Sequence, residues 1–342
     1  MREMRRVGMA EEKLDIFFYE AFEEEAERLL AHAAAVGVRA GCSPVTIQET
    51  GHAAPPAGVV SLRTQSVIPV EWAGRLDGVL SRSTGYDHVA GWRERVEAAG
   101  GKCPALGHLP AYCARAVAEQ ALLLWMALLR KLPEQEAQMG RFERDGLTGR
   151  EAEGKTLAVF GVGRIGHEIC KIGKGLGMEV VGVDVVKKHG DVAYAEPGEA
   201  MEKADVVACA MNLTEENRGY FSREFLARAK RRPVLVNVAR GECTPAAEVE
   251  TALEAGWIRG AGLDVFNEES RLAPALRRGD ELGLTEDNRA LLRLMGRKDV
   301  ICTPHNAFNT AEAVERKAEQ SVRSYLHFRE TGAFLWEVPR RG

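Results

Sequence analysis

Apolar and polar positions follow two alternating rhythms along this chain. Short apolar runs rich in Val, Ile, Leu and Phe are separated by longer stretches in which apolar residues recur at helical spacing. In the first part, the pattern predicts strands at residues 14–18, 37–40, 58–62 and 78–81, with an acidic amphipathic helix over 20–35. A long, largely apolar helix over 111–132 follows. Further strands are expected at 156–160, 179–183, 192–194, 205–210, 234–238, 260–264 and 300–303, with a helix over 167–176. A helix over 245–255 has Thr244 as its cap, Pro245 in its first turn and Gly256 at its end. Strands spaced by helical segments imply parallel sheets with helices on their faces.

This reading gives an α/β chain with two Rossmann-like domains. The first domain takes residues 1–117, the second 118–308. An amphipathic helix over 310–334 returns the chain (309–342) to the first domain, making that domain discontinuous. Residues 1–12 read as a disordered extension. The charged stretch 272–298 reads as a surface excursion carrying a short helix.

One junction carries chemistry. The strand 156–160 runs directly into Gly161-Val162-Gly163-Arg164-Ile165-Gly166, a helix follows, and the next strand ends on Asp184. That order suits a dinucleotide. Gly161 allows a sharp turn, Gly163 lets a pyrophosphate approach the backbone, and Gly166 lets helix and strand pack closely. The helix N-terminus offers unpaired amides to the phosphates. Asp184, 18 residues beyond Gly166, is placed to accept from ribose hydroxyls and to repel a 2′-phosphate. NAD is therefore expected over NADP, with Lys187 and Lys188 weighing the other way.

Composition narrows the classes. The 342 residues are 45% hydrophobic and 28% charged, enough for about two soluble domains. A net charge of −4 argues against a nucleic-acid partner. Seven cysteines without a C-x-x-C pair fit reduced thiols in a cytoplasm; neither a disulfide framework nor a zinc site is expected. Cys170, Cys209 and Cys302 read as core residues. The longest apolar stretch, 121–129, falls well below the ~20 residues that span a bilayer, so no membrane segment is expected.

Polar residues just past strand ends are the candidates for catalysis, because open α/β sheets bind ligands at that edge. Arg240 follows the strand 234–238 and offers a planar fork for a carboxylate. Glu268 and Glu269 follow the strand ending at Asp264, and either could point inward. His305 follows the last strand behind Pro304, and suits proton exchange near neutral pH if a carboxylate favours its protonated form.

The motifs Val236-Asn-Val-Ala-Arg-Gly241, Asp264-Val-Phe and Thr303-Pro-His305 make the chain similar to the NAD-dependent D-2-hydroxyacid dehydrogenase family from residue 14 to about 337. The resemblance implies Arg240, Glu269 and His305 as the catalytic set, and its spacing selects Glu269 over Glu268. It implies cofactor contacts at Gly161, Gly163, Arg164, Ile165, Gly166, Asp184, Asn212, Ala239 and Asp264. Within the family the D-lactate dehydrogenase branch is most similar. That branch implies a substrate loop at Thr84 and Gly85, and pocket residues at Tyr112 and Phe308. The segment 62–66 holds the position of a pocket-wall loop but does not match the lactate pattern. Ala210-Met-Asn-Leu-Thr214 and Ser270 also depart from the family's common residues.

The implied activity is hydride transfer between NAD(H) and a small 2-keto or D-2-hydroxy acid. Arg240 would bind and polarise the keto acid, and His305, held by Glu269, would supply the proton. The resemblance also implies a homodimer built on the 111–132 helix, and domain closure around the substrate. Glyoxylate or hydroxypyruvate reductase is an alternative within the family. An NAD(H)-sensing corepressor scaffold is the alternative outside catalysis.

Overall fold

The structure, a computed structural model, describes residues 13–280 and 283–340, so the extension expected at 1–12 lies outside the described residues. The chain divides into two compact units, Met1–Tyr112 with Val314–Gly342, and Cys113–Ala313. The crossings thus fall at 112/113 and 313/314, a few residues from the expected 117/118 and 308/309.

The first unit begins with β1 (Leu14–Phe18), α1 (Glu23–Ala35), β2 (Ala40–Cys42), α2 (Ile47–Thr50) and β3 (Ala57–Leu62). It continues with β4 (Gly78–Ser81), α3 (Asp87–Ala98) and β5 (Ala105–Gly107). All five strands are parallel, in the order β2-β1-β3-β4-β5. α1 starts later than expected because Glu20 adopts a left-handed φ of 57°. Its carboxylate accepts the amides of Arg63, Gln65 and Ser66 instead of entering a helix. β2 starts at Ala40 because the chain turns through Gly37 at φ 69°. Trp72, Trp92 and Tyr19 fill the core on this sheet.

The second unit opens with α4 (Ala114–Leu129) and α5 (Leu132–Met139). One continuous helix over 111–132 was expected; a left-handed Lys131 (φ 55°) ends the first helix before Pro133 enters the next. Then come β6 (Thr156–Phe160), α6 (Arg164–Gly175), β7 (Glu179–Val183), β8 (Ala193–Tyr194) and α7 (Pro197–Lys203). β9 (Val206–Cys209), α8 (Arg223–Leu226), β10 (Val234–Asn237), α9 (Ala246–Glu254) and β11 (Gly260–Leu263) follow. α10 (Glu269–Arg278), α11 (Glu286–Met295) and β12 (Val300–Cys302) complete it, so the stretch 272–298 contributes to two helices where one short helix was expected. Thr244 does not cap α9: its hydroxyl oxygen accepts from Asn237 Nδ2, and Pro245 is the residue before the helix. Gly256 does close α9, at φ 72°.

These seven strands are also parallel, in the order β12-β11-β10-β9-β6-β7-β8. The order reverses between β6 and β9, which opens a crevice at their carboxyl ends. α4 packs on β10 and β11, and Gly262 permits this: a Cβ there would lie 2.8 Å from that of Leu124. Phe160, Phe221 and Phe225 pack edge to face under the sheet, with the first two ring centroids 5.2 Å apart.

α12 (Ala311–Thr331) carries the chain back to the first unit. Thr310 Oγ1 accepts from the Ala313 amide at its start. The segment beyond it lies along β5, where the His108 amide donates to the Trp336 carbonyl and the Val338 amide to the Leu106 carbonyl. No helix among the described residues is long and apolar enough to cross a membrane. The seven cysteines are free; Cys170 and Cys209 are buried as expected, and Cys302 is half-buried.

Candidate active site

The crevice between β6 and β9 is shaped by glycine. Gly161 has φ 86°, and a Cβ on it would lie 2.7 Å from the backbone of Ala210 and Met211. A Cβ on Gly166 would lie 1.9 Å from the Gly161 carbonyl oxygen. Gly163, the residue preceding α6, faces open space: nothing lies within 4 Å of where its Cβ would be. Two glycines are thus required by packing. The third leaves a concave backbone surface at a helix N-terminus, the shape and polarity a pyrophosphate needs. These residues fit NAD.

Asp184 follows β7 beside this loop. Its Oδ2 accepts the Val162 amide at 2.6 Å and its Oδ1 the Val186 amide at 2.9 Å. The carboxylate therefore fastens the glycine loop while keeping acceptor capacity for a ribose hydroxyl. Arg164 is exposed and Ile165 half-buried at the start of α6; Asn212 is exposed beyond β9.

A second group gathers past β10, β11 and β12. His305 Nδ1 lies 2.7 Å from Glu269 Oε2, with only 18% and 13% of the two side chains exposed. Glu269 is the first residue of α10, where the helix dipole favours its negative charge. Its Oε1 accepts the Phe266 amide. Burial pushes the Glu269 carboxyl up, but the charge and hydrogen bond of His305, the Phe266 amide and Arg240 outweigh this and hold it below the usual carboxylate range. Glu268 instead turns towards Arg271, 3.8 Å away, so the geometry separates the two glutamates.

Asp264 is fully buried at the end of β11. Its Oδ1 accepts from Thr303 Oγ1 and the Asn306 amide, and its Oδ2 from the Ala307 amide. The loop carrying His305 is fastened at three points to this one carboxylate. One acceptor position on Oδ2 remains for a cofactor group. His305 itself takes a left-handed φ of 51°.

Arg240 is held through its own backbone. Asn237, fully buried at the end of β10, donates from Nδ2 to the Arg240 carbonyl at 2.8 Å and to Thr244 Oγ1. Its Oδ1 accepts the Ala239 amide. Arg240 Nη1 donates to the Ala239 carbonyl. Gly241 lets this turn lie against the Phe266–Asn267 backbone, since a Cβ there would overlap Phe266. Asn237 and Thr303 were missed in the sequence. Their signal is a polar side chain at the last position of a buried strand, or one residue beyond it, where a loop must be tied down.

In the first unit, the loop after β4 holds Thr84 and Gly85. Ser83 Oγ donates to the Gly85 carbonyl, the Leu109 amide donates to the Ser83 carbonyl, and His108 Nδ1 lies 3.2 Å from the Thr84 carbonyl oxygen. Tyr112 is buried in the same unit, and its carbonyl accepts from Arg316 Nε. Phe308 is buried in the second unit, just beyond the His305 loop.

One group of potential metal ligands stands out among the described residues: His167, His189 and Asp191, with ligand atoms within 4.8 Å of one another. The two imidazoles are stacked at 3.8 Å, and Lys174 Nζ lies 3.1 Å from Asp191. Parallel rings and an ammonium partner both oppose a shared metal there.

The sequence profile of the D-isomer specific 2-hydroxyacid dehydrogenases, in its NAD-binding domain, matches residues 122–307. The chain belongs to this family, and is an NAD-linked oxidoreductase of 2-hydroxy acids. It is 33% identical over 259 residues to 2-hydroxyacid dehydrogenase A of Aspergillus oryzae, covering 74% of this chain and 72% of that one. Its likeness runs to the D-lactate dehydrogenases. That of Streptococcus agalactiae is 31% identical over 241 residues, covering 68% and 72% of the two chains. The structure of D-lactate dehydrogenase from Aquifex aeolicus complexed with NAD and lactic acid superposes with a TM-score of 0.79 at 25% identity, covering 94% of this chain and 99% of that one.

Proposed function

We infer that the protein reduces a small 2-keto acid to the D-2-hydroxy acid, and runs the reverse oxidation, with Arg240, Glu269 and His305 as the catalytic residues. The observation that carries this reading is the 2.7 Å His305–Glu269 pair at the end of a loop that Asp264 fixes.

Gly161, Gly163, Arg164, Ile165, Gly166, Asp184, Asn212, Ala239 and Asp264 would hold NAD, which when bound supplies or accepts the hydride. Arg240 receives the substrate carboxylate with its guanidinium and stabilises the charge that develops on the keto oxygen. His305 donates the proton from Nε2 to that oxygen, while Glu269 orients the ring through Nδ1 and balances its charge. In the oxidative direction His305 takes the hydroxyl proton. The amides of Thr84 and Gly85 bind the substrate carboxylate, and Tyr112 and Phe308 offer apolar walls.

We also read the protein as a cytoplasmic homodimer. Leu123, Leu132, Met139 and Phe142 expose 51–70% of their surface along α4, α5 and the turn that follows, an apolar stripe that a second copy would cover. Sedimentation or light scattering tests this directly.

The deciding assay follows NADH absorbance across pyruvate, glyoxylate, hydroxypyruvate, phenylpyruvate, branched-chain keto acids and oxaloacetate. Rapid turnover of one or more, with NADPH much poorer, is the expected result. Tight NADH binding with no turnover on any of them would point to a sensing scaffold instead.

A further inference from the structure

The substrate side of the first unit carries a buried concentration of charge that the reaction itself does not require. Its sheet order reverses between β1 and β3, and the carboxyl ends of strands at such a point are where open α/β sheets take ligands. Loops leave this edge after β1, β3 and β4. Around them stand Glu20, Glu25, Arg63, Arg82 and Lys317.

Three of the five are sealed from solvent. Glu25 on α1, Arg82 after β4 and Lys317 on α12 have side chains 0% exposed. Glu25 Oε1 lies 2.8 Å from both Arg82 Nε and Lys317 Nζ, while its Oε2 has no hydrogen-bond partner. Arg82 also donates to Ser61 Oγ and to the Tyr19 carbonyl, so it ties the ends of β1, β3 and β4 together. Arg63, half-buried after β3, acts electrostatically on both Glu25 and Lys317. Glu20 is taken up by the three amides of the 63–66 loop and fixes that loop in place.

Three cations therefore share the side-chain carboxylate of Glu25. Their excess lies beside the residues assigned to the substrate. Arg82 leads directly into Ser83-Thr84-Gly85, and Lys317 Nζ stands 5.7 Å from the centroid of the Tyr112 ring. Burial strengthens the field of sealed charges. A substrate with an alkyl side chain leaves this excess uncompensated; one with an acidic side chain balances it.

Resting on the dehydrogenase reading above, we propose that the charged corner of Arg63, Arg82 and Lys317 selects 2-keto acids that carry a second carboxylate, which the Arg63 guanidinium receives. Arg63 offers the planar fork that matches a carboxylate. Arg82 and Lys317 act behind it as positioning residues. Burial, together with Arg63 and Arg82, lowers the Lys317 ammonium to about 7 despite Glu25. A bound anion favours the protonated form, so the preference is strongest below pH 7 and fades above it.

The test compares kcat/KM with NADH for oxaloacetate and 2-ketoglutarate against pyruvate and 2-ketobutyrate, at pH 6 and pH 8.5. The dicarboxylates should lead by about tenfold or more, because a built charged site discriminates more sharply than an apolar wall. Arg63→Gln, at a partly exposed loop position, should cut that ratio about tenfold. Lys317→Met should flatten its dependence on pH, a readout that a merely structural lysine would not move. Preference for pyruvate or 2-ketobutyrate, with a ratio unmoved by Arg63→Gln, overturns the proposal and leaves the dehydrogenase reading intact. Reduction of none of the four acids, nor of any acid in the wider panel, overturns both.

Discussion

The amide of Ala307 donates to Asp264 Oδ2 at 2.9 Å, and this bond links the end of one strand to the loop after its neighbour. With the bonds from Thr303 and Asn306, it makes a buried carboxylate the anchor of the whole His305 segment. Asp264→Ala removes all three acceptors at once. We expect a loss of about 3 kcal/mol in stability and a fall in kcat larger than any change in NADH affinity. Urea unfolding and steady-state kinetics on the same preparation separate the two effects.

The catalytic pair gives a sharper test. Glu269→Gln keeps the shape of the side chain and one acceptor for His305, but loses the charge. Turnover should drop roughly 10²-fold, within the range of general acid–base contributions, with NADH affinity nearly unchanged. Normal turnover in this variant would show that the carboxylate charge is not used.

Arg240→Lys preserves one positive charge and loses the fork. Because Asn237 and Gly241 hold the backbone here independently of the side chain, folding should be unaffected. Loss of two-point recognition should lower kcat/KM by about 10²- to 10³-fold. Equal stability of variant and parent, measured by thermal melting, is part of the expectation.

Two glycines separate fold from cofactor. Gly166→Ala puts a methyl 1.9 Å from the Gly161 carbonyl, so it should destabilise the second unit as well as abolish NADH binding. Gly163→Ala meets no protein atom within 4 Å. It should leave the melting temperature within a degree or two, by the rule that changes touching nothing cost little, and weaken NADH binding at least tenfold. Fluorescence titration with NADH reads the difference. Unchanged affinity in Gly163→Ala would mean the pyrophosphate does not approach there.

Lys317 and Glu25 set opposite pH trends. The folded chain releases the Lys317 proton near pH 7, whereas the unfolded chain keeps it into the ordinary lysine range. Stability therefore rises with pH between these limits. Burial pushes Glu25 up, but Lys317 and Arg82 overcome this and hold it at about 2, so its contribution is complete at neutral pH and is lost as the solution is acidified from about 4.5 towards 2. Lys317→Met should erase the first trend, shrinking the stability difference between pH 9 and pH 6 by at least about 1 kcal/mol, and should be neutral or stabilising at pH 6 because Arg82 still pairs with Glu25. A pH dependence identical to the parent's would remove Lys317 as its source.

Much of the second unit was legible because its elements are locally written. An apolar run meeting Gly161-Val-Gly163 sets strand, turn and helix within a dozen residues, and Arg240, Glu269 and His305 each follow a strand end. The misread boundaries have a common physical cause. Lys131 and Glu20 take left-handed conformations that their residue types do not advertise, and each moved a helix end. Thr244 carries a good capping side chain, but Asn237 claims its oxygen from across the turn. The charged corner at Glu25 was invisible for a different reason. Glu25, Arg82 and Lys317 are far apart in the chain, and each reads alone as a surface charge; only the sheet and the returning α12 bring them together.

The left-handed backbone at His305 has a consequence for descent. Among side chains other than glycine, asparagine, aspartate and histidine accept that conformation most readily. The codons of histidine and asparagine differ by a single base. One nucleotide change at position 305 thus preserves the turn, the three anchoring bonds to Asp264 and the cofactor crevice while deleting the proton donor. The catalyst stands one mutational step from a folded, silent binder of the same dinucleotide.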